Sequence, residues 1–236
     1  MRRAISVLII PLIFLSCSRN RNPVSEKIDR FALVSRHNVT VSKFDSLSSL
    51  SVGNGSFAFT VDATGLQTFP GVYENGICLG TMSDWGWHSF PNKNNYKLEE
   101  TYQYFDVEGR KVPYAVQWNE PGRKHEAANY FRQNPHRLHL GIIGFELLKE
   151  NGNQVNYNEI RKIEQTLNLW EGKISCYFEI EGEAVNVNTV CHPTRDLIAA
   201  EVQSERIKKG LMAFNLRFPY PTANHVDGAS DWRSPD

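Results

Sequence analysis

The chain has 236 residues, 41% apolar and 11% aromatic, and its 26 Lys and Arg residues balance 26 Asp and Glu residues. Nucleic-acid affinity rests on clustered Lys and Arg that neutralise phosphates. Here the longest basic groupings, Arg206-Ile207-Lys208-Lys209 and Arg123-Lys124-His125, are short and read as solvated turns, which excludes a nucleic-acid partner, while the length suits one sizeable core.

The first residues read as an export leader. Arg2 and Arg3 supply a positive start, and an apolar run over 4–15 follows, interrupted only by Ser6 and Pro11. About a dozen residues cannot cross a hydrocarbon layer of roughly 30 Å as a permanent helix, so the run is a leader and not a membrane span. Phe14-Leu15-Ser16-Cys17 resembles a bacterial lipobox. On that reading 1–16 is a lipoprotein signal peptide, Cys17 carries the lipid, and 17–27 is a polar tether with Pro23. An ordinary export signal cleaved nearby is the other reading. Either way the mature protein leaves the cytoplasm, as a periplasmic or outer-membrane-anchored lipoprotein whose membrane contact runs through its lipid alone.

Beyond the tether, 28–236 reads as one all-β domain. Ser51-Val52-Gly53-Asn54-Gly55-Ser56 is a tight turn between two apolar strands. As a phosphate loop it fails, since no lysine and no helix follow. Phe57, Phe59 and Val61 alternate with Ala58, Thr60 and Asp62, the period of a half-buried strand. The stretch 64–130 is rich in Gly, Asn, Trp and Tyr with weak periodicity, and long loops of that composition belong more to a site than to a scaffold.

Strands are then expected at 140–148, 163–170, 174–180, 184–190 and 197–203. Asn151-Gly152-Asn153, Glu171-Gly172, Glu181-Gly182 and His192-Pro193 separate them with turn chemistry. Met212, Phe214, Leu216 and Phe218 alternate with polar residues as another half-buried strand. Helix is a minor component; the best attempt, 156–169, puts Gln165, Thr166 and Asn168 where a buried face is needed. Without helical crossovers, this pattern predicts a large antiparallel β-sandwich.

After Cys17, three cysteines remain: Cys78, Cys176 and Cys191. A hairpin around Gly182 sets Cys176 opposite Thr189 and only diagonal to Cys191, a poor disulfide geometry, so free thiols are expected. Zinc has no CxxC to hold it, and His136 and His139 fall on opposite strand faces, so no metal and no cofactor is expected.

The sharpest chemical signal is Asp84-Trp85-Gly86-Trp87-His88, followed by Asn92–Asn95, Tyr96, Tyr102, Tyr104 and Phe105. A pyranose offers C–H faces to aromatic rings and hydroxyls to carboxylate, amide or imidazole groups. Asp84, Trp85, Trp87 and His88 supply both kinds, which makes them candidate substrate-binding residues for an oligosaccharide or polysaccharide. The alternative is that the two tryptophans fill core. Glycoside cleavage needs two carboxylates facing each other about 5–9.5 Å apart. Glu99 and Glu100 are adjacent and diverge, and Glu179, Glu181 and Glu183 sit at a hairpin tip as solvated charge, so no catalytic residue is assigned.

Three segments carry a family resemblance. Gly53-Asn54-Gly55 with its flanks, Gln165-Thr166-Leu167-Asn168-Leu169-Trp170-Glu171-Gly172, and Val190-Cys191-His192-Pro193-Thr194-Arg195-Asp196-Leu197-Ile198-Ala199 together resemble the start of six-hairpin glycosidases of the clan L type, glycoside hydrolase families 65 and 95. The resemblance implies a galactose-mutarotase-like β-supersandwich followed by an (α/α)6 barrel that carries the catalytic acids. Past Phe218 no helical repeats are expected, so the resemblance places that catalytic barrel outside the chain and leaves 28–236 as the non-catalytic part of an exported glycoside hydrolase or phosphorylase acting on oligosaccharides, inert alone. Two other readings are a stand-alone glycan-binding lipoprotein and a mutarotase-like sugar epimerase. The latter needs His88 or His139 beside a glutamate.

The leader reading has a direct test. Cys17→Ser should move the protein from the membrane fraction to the soluble fraction, as read by fractionation and immunoblot; a variant that stays membrane-bound refutes lipidation.

Overall fold

The structure is a computed structural model describing residues 27–222 together with 230, 231 and 233. The leader, Cys17 and nearly all of the tether lie outside the described residues. In chain order the strands are β1 (Val39–Val41), β2 (Leu50–Gly53), β3 (Phe57–Val61), β4 (Thr81–Ser83), β5 (Trp87–His88), β6 (Tyr102–Val107), β7 (Arg110–Ala115), β8 (His136–Arg137) and β9 (Ile142–Leu147). There follow β10 (Arg161–Asn168), β11 (Lys173–Ile180), β12 (Glu183–Cys191), β13 (Ile198–Gln203), β14 (Met212–Arg217), β15 (Tyr220–Pro221) and β16 (Ser230–Asp231). The helices are α1 (Arg30–Ser35), α2 (Arg123–Gln133) and α3 (Glu205–Lys208).

The fold is an all-β antiparallel sandwich. A sheet ordered β1-β10-β11-β12-β13 faces a layer built from β2-β3-β4 and the β9–β14 pair, with β5–β8, β6–β7 and β15–β16 as short ladders. Leu50, Val52, Phe59 and Val61 on one side meet Ile174, Phe178, Val185 and Val187 on the other in a single core. Alternation is the cause: in β11 every second residue, from Ile174 to Ile180, is buried. Full burial of each such side chain contributes about 1.5–3 kcal/mol.

The strands expected between 140 and 203 all form, with small shifts at their ends. The β11–β12 hairpin closes through the two residues Glu181 and Gly182, at φ 52° and 83°, the positive pair that a type I′ turn requires. That tight turn sets Cys176 opposite Val187 and Ile174 opposite Thr189, two residues away from the predicted register. Cys176 and Cys191 are free thiols.

Other expectations need correction. Arg123-Lys124-His125 is not a turn but the first turn of α2, whose Ala127 and Ala128 are buried. The 64–130 stretch thus holds short strands and most of a helix. The second basic group is not solvated either: Arg206 in α3 is fully buried, paired with Glu183 at 2.9 Å and Glu181 at 3.3 Å, and donates to the carbonyls of Ile180 and Leu148. Glu181 and Glu183 therefore neutralise a buried cation, and Glu179 meets Lys162 at 2.9 Å. In β14 only Met212 is buried; Phe214, Leu216 and the following Phe218 are 55%, 59% and 75% exposed.

Between the two layers runs a buried polar turn, 62–67. Asp62 accepts from the Thr64 amide (2.8 Å), the Thr64 hydroxyl (2.6 Å) and the Phe69 amide (2.7 Å). Gln67 donates to Thr60 O and accepts from the Ile143 amide, while Gln165 donates to Asp62 O and Thr189 to Gly65 O. Gly65 sits at φ +84°, where a Cβ would lie 2.9 Å from the Cys176 sulfur. At Gly144 on β9 a Cβ would lie 2.5 Å from Gln67 O, so the turn depends on that residue being glycine.

Desolvation outweighs these hydrogen bonds and pushes the Asp62 carboxyl up from 3.8 to about 6. The native state then holds an extra proton between about pH 4 and 6. This group's stabilisation is complete below that window and is lost as pH rises through it, by about 3 kcal/mol in all. Wild type should thus be more stable than Asp62→Asn by a margin that shrinks between pH 4 and 7 in urea unfolding. A pH-independent margin refutes the assignment.

Candidate functional site

Two of the three family-like segments meet the aromatic segment in space. Asn54, at the tip of the β2–β3 turn, accepts from the amides of Ser56 (3.0 Å) and Phe57 (2.8 Å) through its side-chain oxygen. Its amide nitrogen donates across 138 and 141 residues to the carbonyls of His192 (3.1 Å) and Arg195 (3.0 Å). One side chain thus shapes its own turn and pins the loop between β12 and β13. The Asp84 amide in turn donates to Ser56 O at 2.9 Å, bringing the aromatic segment alongside.

That loop presents Asp196. Its Oδ2 accepts from the Ser83 hydroxyl and from the Trp85 indole N–H, the latter at 2.9 Å. Among the described residues nothing bonds to Oδ1, and Asp196 is exposed. Trp85, on a 3-10 turn over Asp84–Gly86, is 72% exposed, so a large aromatic face stands in solvent while its edge is held by a carboxylate. An indole filling core would be enclosed; the core-filling alternative therefore fails for Trp85, and Trp87 too is 47% exposed.

Asp84 and Trp87 share a partner. Arg137 on β8 pairs with Asp84 at 2.9 Å and lays its guanidinium 4.7 Å from the centre of the Trp87 ring. The pairing Trp87↔Arg137 and His88↔His136 puts His88 on the opposite face of this short ladder. There His88 Nδ1 lies 3.2 Å from His136 Nε2, and His136 Nδ1 donates to Gln133 O at 2.7 Å. Phe90 packs against both imidazoles, at 5.1 and 5.4 Å between ring centres. The four predicted residues therefore lie in one segment with separate partners: Asp84 and Trp87 share Arg137, Trp85 is held by Asp196, and His88 faces His136 on the other side of the ladder.

The remaining aromatics are placed elsewhere. Tyr104 and Phe105 lie on the β6–β7 hairpin, and Asn92 brackets the backbone of Tyr96 with two hydrogen bonds. Glu100 is not catalytic in kind: it salt-bridges Arg123 at 2.6 Å, a hydrogen bond that holds its carboxyl below the usual range. His139 is buried, donating to Leu79 O and accepting from the Gly141 amide, and burial lowers its pKa. Among the described residues, no group of three or more His, Cys, Asp or Glu side chains gathers to hold a metal ion.

Sequence reasoning missed Asp196, Ser83, Arg137 and His136 as members of this site. Asp196 stands 111 residues from Trp85, a pairing that no local pattern encodes. The remaining segment, 165–172, serves the scaffold: Asn168 caps the β10–β11 turn by accepting from the Trp170 and Glu171 amides, and Trp170 packs edge-on against Phe31 of α1. No protein-family model matches this chain, and neither does any curated protein.

Asn54→Ala removes both hydrogen bonds to the 192–195 loop, together with those its side-chain oxygen accepts from the Ser56 and Phe57 amides. It should lower unfolding stability by about 2 kcal/mol, read as a shift in the urea midpoint; an unchanged midpoint would show that the loop does not depend on Asn54.

Proposed function

We propose that the chain is the non-catalytic, sugar-facing β-sandwich of an exported carbohydrate-active enzyme of the six-hairpin glycosidase type, acting on oligosaccharides. The supersandwich relationship belongs to this proposal, as do export and lipid anchoring through Cys17, which rest on the leader. The observation that carries the glycan reading is Trp85. Its indole is largely in solvent yet cannot swing freely, because its N–H is held by Asp196. A fixed aromatic face loses little freedom on binding, which is what a stacking platform requires. At its edge, Asp196 Oδ1 is an open acceptor for a hydroxyl. A protein partner would call for a broader apolar patch; a sugar ring needs one flat face and directed polar groups beside it.

Bond cleavage is assigned to a separate barrel. Four glutamates are taken up in ion pairs, Glu100 with Arg123, Glu159 with Lys149, Glu179 with Lys162 and Glu183 with Arg206, and Asp62 is enclosed in the core turn, which leaves Asp196 without an opposed carboxylate assigned to it. A mutarotase-like reaction draws no support, because the ring nitrogens of His139 engage backbone and His88 faces His136. The same aromatic rim would serve a stand-alone glycan-binding lipoprotein. Turnover by a longer form carrying a barrel separates that reading from the enzyme.

Affinity electrophoresis through gels holding soluble neutral polysaccharides tests the rim. Trp85→Ala should weaken retention roughly tenfold, the equivalent of about 1.4 kcal/mol, without lowering Tm, and Trp87→Ala should weaken it as well. Wild type that migrates unretarded in every gel overturns the glycan reading. Release of reducing sugar by the purified protein overturns the non-catalytic assignment.

A further inference from the structure

A second place in the molecule gathers sugar-type chemistry, away from Trp85. A cavity of about 330 Å³ opens beside the β9–β14 pair, walled by the 67–69 segment, by 154–157, by residues 144–147 of β9 and by Asn215 and Arg217 of β14. No residue of the aromatic rim lines it. On β14, Asn215 lies directly across from Gly144, and Glu146 follows Gly144 by two positions on the same face of β9. Because Gly144 has no side chain, the Gln67–Thr68 backbone can settle against the strand there, leaving Glu146 and Asn215 to stand up around it.

The lining is polar, and three of its side chains make no hydrogen bond among the described residues. The half-buried Asn215 amide has no hydrogen-bond partner among the described residues, and neither does the Glu146 carboxylate. The Tyr157 hydroxyl is likewise open, while its ring packs edge-on with Phe69, 6.5 Å between centres. A half-buried amide such as that of Asn215 is ordinarily satisfied by the fold, by water or by a ligand, whereas Glu146 and Tyr157 are exposed at the mouth, where a ligand can reach them. Here the fold satisfies neighbouring Gln67 and Thr68 completely enough to build the wall, yet leaves these three groups facing the cavity.

From this we infer that the cavity is a second saccharide-binding site, one that takes a single neutral sugar ring. An amide both donates to and accepts from hydroxyls, the carboxylate accepts, and two aromatic rings offer a wall to C–H groups. The volume lies at the small end of ligand sites, enough for one ring with bridging water and too little for a chain of sugars. Arg217 at the same rim balances the charge of Glu146, so a neutral ligand fits better than an acidic one.

Saturation-transfer NMR with methyl β-D-glucopyranoside, methyl α-D-galactopyranoside and methyl α-D-mannopyranoside tests the inference on the whole protein. At least one should bind with a Kd on the order of 1 mM. Asn215→Leu should weaken it at least tenfold with unchanged Tm, since the Asn215 side chain bonds to nothing among the described residues. Glu146→Gln should weaken it less, and Trp85→Ala should leave it intact. Absence of saturation with all three probes overturns the inference, as does binding that survives both cavity variants. Binding lost in Trp85→Ala but kept in Asn215→Leu assigns the sugar to the rim and also overturns it. Failure of the rim reading shows separately, in the gels, where Asn215→Leu should leave retention unchanged.

Discussion

The buried polar turn 62–67 is the constraint around which the sandwich is arranged. Placing a carboxyl, two amides and a hydroxyl between two sheets is costly unless each finds a partner. The turn answers by binding outward in three directions: Gln67 to β3 and β9, Gln165 of β10 to the Asp62 carbonyl, and Thr189 of β12 to Gly65. It thereby replaces a missing strand at the edge of β9, where Gln67 and Thr68 supply bonds that a neighbour would otherwise make. Two glycines make the approach possible, Gly65 by its backbone conformation and Gly144 by its lack of a side chain.

That arrangement sets the position of the aromatic rim. The turn leads from β3 through 67–69 and on to β4, which pairs back on β3, so Ser83 emerges at a defined place beside Ser56 and Asn54. The opposite sheet delivers Asp196 to the same spot through the β12–β13 loop, which Asn54 holds by two carbonyls. Ser83, Trp85 and Asp196 meet because the register of both layers places the two loops side by side. The rim is a product of the interior.

How much of this was legible in the sequence depends on the range of the interaction. Strands with strict alternation, such as β3, β11 and β12, declare themselves locally, since period two follows from the pleat. Helix α2 does not: its apolar positions are Ala127, Ala128 and Phe131 among charged and amide residues, too weak a stripe to stand out from loop composition. Arg206 was misread for a related reason. Its neighbours Lys208 and Lys209 are solvent-facing, and only the fold brings Glu181, Glu183 and two carbonyls around its guanidinium. The residues Asp84, Trp85, Trp87 and His88 could be found because side-chain chemistry is written in composition. Asp196 could not, because the contact spans sheets.

Strand β14 carries one more implication. Among the described residues it pairs only with β9, and Phe214 and Leu216 stand largely in water beside its other edge. An extended segment with open backbone donors and acceptors and an apolar lining accepts almost any extended peptide, including another molecule's β14. These six residues thus give the domain an adhesive margin, and a lysine in place of Leu216 would blunt it at the solvent-facing side.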